Sequence, residues 1–245
     1  MTTQTNKLIS ILVPTYNLGD NSLLYLEENL SSINSQTYDN IEIVISDNST
    51  DDEVKNFVDN FPFKKNIKVI YRKSDRGRGW GAAPNTNNTI DISTGDYLKV
   101  LFQDDKFWNS EAVEVIVSAL QESDWCAFNS ITQEDISSNY YQYAGNFPRI
   151  DASYPQALLK GQNYLGGPTS VAFRKTEMRM DESLRWLNDT DLYYSFWKSW
   201  GPPTIINGSA PLVCLRTRNE ALSNIIPRED QLKEIAYLSK KVHTK

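Results

Sequence analysis

The first half of the chain alternates short β-rich runs with segments of helical periodicity, and few architectures tolerate that order. Residues 8–13 (LISILV), 41–46 (IEIVIS), 67–72 (IKVIYR) and 97–102 (YLKVLF) read as strands. Between them Leu23, Leu26, Leu30 and Ile33 recur at helical spacing, as do Val54, Phe57 and Phe61, so each connection offers one apolar stripe to a sheet. Repeated strand, helix, strand units predict an α/β fold: a Rossmann-like, mostly parallel central sheet with helices on both faces. A further helix is expected over 110–121, with strands over 125–128 and 169–174, and helical patterns continue over 186–200 and 229–241. From 129 to 167 the pattern weakens into a polar, Tyr- and Pro-bearing stretch. We expect a single domain over 1–245, with a soft functional boundary near Asn129 separating 1–128 from 129–245.

Composition narrows the chemistry. The net charge is −6 and no run of like charge forms a basic tail, which argues against nucleic-acid binding through counterion release. Apolar runs are far shorter than the 18 or so residues of a membrane span. The start, MTTQTNK, carries one Lys and the apolar run behind it stops at Pro14, so no signal peptide is read and a soluble, cytoplasmic chain is expected. The only histidine is His243, near the end of the sequence, so Ser-His-Asp catalysis and His-based metal centres are effectively closed and catalysis must run on carboxylates. Cys126 and Cys214 form no C-x-x-C pair and read as two buried small hydrophobes.

In doubly wound sheets ligands bind outside the carboxyl ends of the strands. The residues there are polar and acidic: Pro14-Thr15-Tyr16-Asn17 after the first strand, 46–52 (SDNSTDD) after the second, and Gln103-Asp104-Asp105 after the fourth. Asp51 and Asp52 read as turn and helix-start residues. Adjacent Asp104 and Asp105 repel each other, and a divalent cation bridging them to a phosphate relieves that repulsion; all-oxygen ligation suits Mg²⁺ or Mn²⁺.

These three segments, in this order and each at a strand's carboxyl end, resemble the GT-A fold glycosyltransferases of family 2, together with Gly95-Asp96-Tyr97 ahead of the fourth strand. The resemblance covers roughly the first 110 residues. It implies that Tyr16 and Asp47 hold the donor's base and ribose, with Pro14, Thr15 and Asn17 also among the donor-binding residues, that Asp104 contacts ribose or metal, and that Asp105 ligates the metal on the donor diphosphate. Gln103 stands where the family's Asp-x-Asp triplet has its first acid. The segment 76–82 (RGRGWGA) nominally fits a dinucleotide-binding fingerprint, but it follows the third strand, and Pro84 with the polar run 85–89 makes a poor closely packed helix start. In the family this place is a mobile connection whose basic residues approach the donor phosphates, a role open to Arg76 or Arg78; an exposed turn with solvated arginines fits equally well.

Residues 163–170 (NYLGGPTS) are similar to the family's loop beneath the acceptor. Residues 186–192 (WLNDTDL) open an amphipathic helix and are similar to the Glu-Asp segment that supplies the base in inverting members, with Asn188 in place of Glu. Asp189 and Asp191 are the candidate catalytic acids, although a cap and a first-turn dipole partner would look the same. Aligning Asn188-Asp189 with the Glu-Asp pair makes Asp189 the base. Tyr140, Tyr141 and Tyr143 are candidates for shaping the acceptor pocket, whereas Trp197 and Trp200 read as core. The resemblance thus implies a donor-binding half at 1–128 and an acceptor-binding half at 129–245, and an inverting, metal-assisted transfer from a nucleotide sugar, UDP favoured, to a glycan or other hydroxyl acceptor. A nucleotidyltransferase and a non-catalytic sugar-binding module are the rival readings; the first wants a basic residue in 15–20, where none occurs, and the second leaves the acids unexplained. The oligomeric state is left open.

Overall fold

A computed structural model describes residues 6–17, 19, 21–74, 81–134, 141–144 (as backbone), 147, 150–208, 210–217 and 225–241. Arg76, Arg78, Tyr140 and His243 lie outside them, as do the side chains of Tyr141 and Tyr143.

The chain runs β1 (Ile9–Thr15), α1 (Ser22–Asn34), β2 (Ile41–Asp47), α2 (Glu53–Asn60), β3 (Lys68–Lys73), α3 (Ala82–Ile92), β4 (Tyr97–Val100), β5 (Lys106–Phe107), α4 (Ala112–Glu122) and β6 (Trp125–Phe128). It continues through β7 (Ser130–Gln133), β8 (Tyr141–Ala144), α5 (Tyr154–Leu158), β9 (Val171–Arg174), α6 (Asn188–Trp200), β10 (Thr204–Ile206), β11 (Val213–Arg216) and α7 (Arg228–Lys241). Among the described residues the central sheet has seven strands, in the order β10-β6-β9-β4-β1-β2-β3. It is mostly parallel, with β9 inserted antiparallel between β4 and β6.

Side chains on a strand alternate between faces, and here both faces are covered. Ile9, Ile11 and Val13 of β1, with Ile41, Ile43 and Ile45 of β2, pack against Leu26, Leu30 and Ile33 of α1, Val54 and Val58 of α2 and the apolar stripe of α4. Leu12, Val44, Leu98 and Val100 face the other way, onto α3, α5 and α6. Each such side chain taken fully from water is worth about 1.5–3 kcal/mol. The central sheet thus agrees with the α/β expectation, and Cys126 and Cys214 are both buried free thiols. Trp197 and Trp200 pack against the second of these cores. No helix among the described residues is long and apolar enough to cross a membrane.

Two segments depart from the sequence reading. Pro84 and the polar run behind it do form a closely packed helix, α3, with every residue from Ala83 to Ile90 buried. Propensity is overridden because the polar side chains find fixed partners. Asn85 Nδ2 donates to the Thr15 carbonyl at 2.9 Å, Asn88 Nδ2 to Ser46 Oγ at 3.2 Å, and the Asn87 amide pairs with both the N–H and the C=O of Met180 at 2.9 Å each. Pro84 falls in the first turn, where no helical donor is lost. The weakly patterned 129–167 stretch carries β7, β8 and α5, and β7 and β8 join a second sheet in the order β5-β11-β7-β8. Four-residue strands on a small sheet leave too short a period to read.

The amino-terminal edge of the central sheet is closed tightly. Gly95 N donates to Ser10 Oγ at 2.9 Å, and a Cβ placed on Gly95 would lie 2.8 Å from Ser10 N and 2.9 Å from Leu8 O. Those atoms are backbone and cannot swing aside. Gly95→Ala should therefore destabilise the chain by about 1–3 kcal/mol, measured as a lowered urea midpoint with unchanged slope.

Candidate active site

Because β1, β2 and β4 run parallel, the segments after Thr15, Asp47 and Val100 all leave the sheet at one edge. Pro14 and Thr15 are the last, buried residues of β1. The Thr15 carbonyl accepts from Asn48 N and Asn85 Nδ2, both at 2.9 Å, which fixes where the chain emerges. Tyr16 then turns outward, 49 % exposed. Asn17 Nδ2 donates to Asp51 Oδ2 at 3.2 Å, and Asp51 Oδ1 accepts from Glu53 N at 3.1 Å, so Asp51 serves the turn as expected.

Gln103 is a tie between loops. Its Oε1 accepts from Tyr16 N at 3.0 Å and its Nε2 donates to Ser22 O and Oγ at 3.0 and 2.9 Å. The amide needs both a donor and an acceptor end, which a carboxylate lacks. Asp47 is fully buried: Oδ1 accepts from Ser49 N at 2.8 Å, and Oδ2 from the Tyr71 hydroxyl at 2.6 Å and from Lys73 Nζ at 2.9 Å. Lys73 balances its charge at the end of β3.

Asp105 is buried and Asp104 partly exposed. Asp105 Oδ2 accepts from the Thr169 hydroxyl, and Oδ1 from Arg216 N at 2.9 Å. Burial first, and the neighbouring Asp104 charge second, push its carboxyl well above the usual range despite those bonds. Among the described residues no group of three or more His, Cys, Asp or Glu is preassembled for a metal ion. Two adjacent hard-oxygen ligands with an under-compensated charge nonetheless fit a divalent cation completed by phosphate oxygens and water.

The structure separates the two acids of α6. Asp189 Oδ2 accepts from Asn163 Nδ2 at 3.0 Å, and Oδ1 from Thr190 N and Oγ1 at 2.6 and 3.1 Å. Burial, opposed by these bonds, raises its carboxyl to about 6. Asp191 lies on another face and accepts from Lys241 Nζ at 2.9 Å. Positions two apart on a helix diverge by about 200°. Asn188 turns back to the 184 and 185 carbonyls, and Trp186 packs beside Leu184, Leu187 and Leu238.

The 163–170 loop joins the two acidic places. Asn163 donates to Asp189 and, at 2.8 Å, to the Gly166 carbonyl, while Thr169 at the loop's other end donates to Asp105. Sequence reasoning missed Arg216 and Lys99. Arg216 ends β11; besides its N–H on Asp105, its Nε donates to the Asp104 carbonyl at 3.3 Å and its guanidinium pairs with Glu28. Lys99 is wholly buried in β4, donating to the Val100 and Thr169 carbonyls, and burial pushes its ammonium down to about 7 against the pull of Asp105. A lysine inside the apolar run 97–102 was the visible signal; β11 gave none.

The sequence matches the model of the family described as Glycosyl transferase family 2 over residues 10–184. It is 31% identical over 145 residues to glycosyltransferase GlyG of Streptococcus pneumoniae serotype 4, covering 58% of this chain and 43% of that protein. The chain spans about half the length of the curated relatives it matches. S. aureus TarS superposes with a TM-score of 0.66 at 17% identity, over 97% of this chain and 40% of TarS, and has been solved with UDP and with UDP-GlcNAc. Mannosyltransferase PcManGT of Pyrobaculum calidifontis, in complex with GDP-Man and Mn²⁺, gives 0.63 at 16% identity over 98% of this chain and 65% of that one. With acids at the carboxyl ends of β2 and β4 in a mostly parallel sheet, and the family model spanning most of that sheet, the chain belongs to glycosyl transferase family 2 and has a GT-A-type fold.

Proposed function

We propose that the chain transfers a sugar from a nucleoside diphosphate donor, UDP favoured, to an acceptor hydroxyl with inversion. The observation that carries this is the 163–170 loop, which touches the strand-edge acids through Thr169 and Asp189 through Asn163. Solved neighbours holding UDP-GlcNAc and GDP-Man support the donor class.

In this reading the half before Asn129 takes the donor and the half after it the acceptor. The exposed Tyr16 ring stacks on the base beside Pro14, Thr15 and Asn17, and Asp47, its charge balanced by Lys73, recognises base or ribose. Asp104 and Asp105 would hold Mn²⁺ or Mg²⁺, which would supply positive charge to the leaving diphosphate. Asp189, at about 6, is ionised at pH 7 and still basic enough to take the acceptor proton. The acceptor oxygen attacks the anomeric carbon as the bond to the diphosphate breaks with its electron pair, which inverts that centre. Asp191 orders the helix start.

The test is diphosphate release from UDP-glucose, UDP-galactose, UDP-N-acetylglucosamine and GDP-mannose, with and without Mn²⁺, water serving as the acceptor. Release from at least one donor is expected, and none from any sinks the proposal. Asp105→Asn should abolish the Mn²⁺ stimulation and also the Mn²⁺-dependent part of the thermal shift given by UDP, because it removes a ligating charge. It also changes one hydrogen bond, since an amide nitrogen accepts none and only the one amide oxygen can still accept, from Thr169 or from Arg216. Asp189→Asn should lower turnover about 10²- to 10⁴-fold with UDP binding unchanged. In the wild type turnover should fall as pH drops through about 6, where Asp189 takes up a proton, and that limb should be missing from the residual rate of the variant.

A further inference from the structure

The segment that carries Asp189 is held from behind by the C-terminal helix. α6 begins without a side-chain cap of its own: Leu187 occupies the cap position and makes no such bond. The N–H groups at a helix start have no partner inside the helix and must find one elsewhere. Glu234 of α7 supplies one for Leu187, and it also partners the two residues of the turn ahead of it. Its Oε1 accepts from Arg185 N at 2.9 Å, and its Oε2 from Trp186 N and Leu187 N at 3.0 and 2.9 Å. Three consecutive donors converge on one carboxylate at the positive end of the helix dipole, two residues ahead of Asp189.

The same helix holds the other segment that reaches Asp189. Ser239 Oγ of α7 donates to the Leu159 carbonyl at 3.0 Å, and Ile235 packs against Gly161, where a Cβ would sit 3.0 Å from Ile235 Cγ1. Gly161 has φ +72°, a conformation glycine adopts without strain. Two residues on is Asn163, the donor to Asp189 Oδ2. A third tie runs from Lys241 to Asp181 at 2.7 Å and Asp191 at 2.9 Å, and Leu238 is buried against Leu184 and Leu187. The turn that leads into Asp189 and the segment whose Asn163 side chain donates to it are therefore both held by α7, which lies outside the 10–184 family match.

We propose that Glu234 is a positioning residue for Asp189: by capping α6 from a neighbouring helix it fixes the carboxylate at the place where the acceptor is deprotonated. The proposal rests on the reading of Asp189 as the base. Its test uses the full chain, the donor of the panel above that releases most diphosphate, and the variants Glu234→Ala and Glu234→Gln, each alone and with Asp189→Asn.

Displacing a reacting group by about 1 Å costs up to about 100-fold, so Glu234→Ala should lower turnover about 10- to 100-fold with the donor's Michaelis constant within about twofold. Glu234→Gln, whose amide oxygen still accepts, should recover part of the loss. In the Asp189→Asn background Glu234→Ala should cost less than about twofold more, because its effect passes through a group already removed. Hydrogen exchange over 185–187 should quicken in Glu234→Ala. Wild-type turnover in Glu234→Ala, unchanged exchange, or a full additional loss on top of Asp189→Asn overturns the proposal. If Glu234→Ala does not fold, the same comparisons on Glu234→Gln decide it. Wild-type turnover in Asp189→Asn is a different outcome and removes the base reading itself.

Discussion

A carboxylate taken out of water must be given donors, and Asp105 receives its two from residues 64 and 111 positions away, the Thr169 hydroxyl and the Arg216 N–H. Neither can be supplied until β9 has entered the central sheet and β11 has paired with β7 and β5. The site is thus a product of both sheets. Thr169 is held twice, by its hydroxyl on Asp105 and by its carbonyl under Lys99, so the 163–170 loop is fixed at this end and tied to Asp189 at the other. Burying Lys99 within the field of Asp105 offsets part of the charge in that pocket, and the aromatic rings of Phe128 and Phe107 near its ammonium add to this.

What could be read in the sequence follows from where period and chemistry coincide. The parallel strands were legible because both faces are buried, so β1, β2 and β4 appear as short apolar runs that stop at polar residues. Those stops are where ligand chemistry belongs, which is why Asp47, Asp104 and Asp105 stood out. α3 was misread because its stability is tertiary: Asn85, Asn87 and Asn88 are poor helix formers, and only the positions of Thr15, Met180 and Ser46 make them good ones. The second sheet hid for another reason. Its strands are two to four residues long, and β11 is recognisable only once β5 and β7 are in place beside it. Glu234 carries no local sign at all. On α7 it looks like any exposed-face acid, and its task is defined by three backbone donors 47 to 49 residues earlier.

Buried acids in this fold are of two kinds. At the amino end Glu42 is fully buried, yet its carboxyl lies below the usual range. Burial drives it up, but the hydroxyls of Ser10 and Thr94, the Thr94 N–H and Lys68 Nζ together outweigh that. Every lone pair that matters is answered, and the group has no chemistry left to do. Asp105 after β4 and Asp189 at the start of α6 are also hydrogen-bonded, yet both are raised, with burial the largest cause in each. Burial weighs more on these two than on Glu42, and fewer groups answer it. No ammonium touches either carboxylate among the described hydrogen bonds, and Asp105 has a like charge next to it. Structural acids are placed where the fold completes their solvation; acids left short of it are tuned toward neutrality and respond most to a cation or a proton arriving from outside. Both kinds meet at the carboxyl end of the parallel strands, where Asp47 is answered by Ser49, Tyr71 and Lys73 and Asp105 is not answered in full.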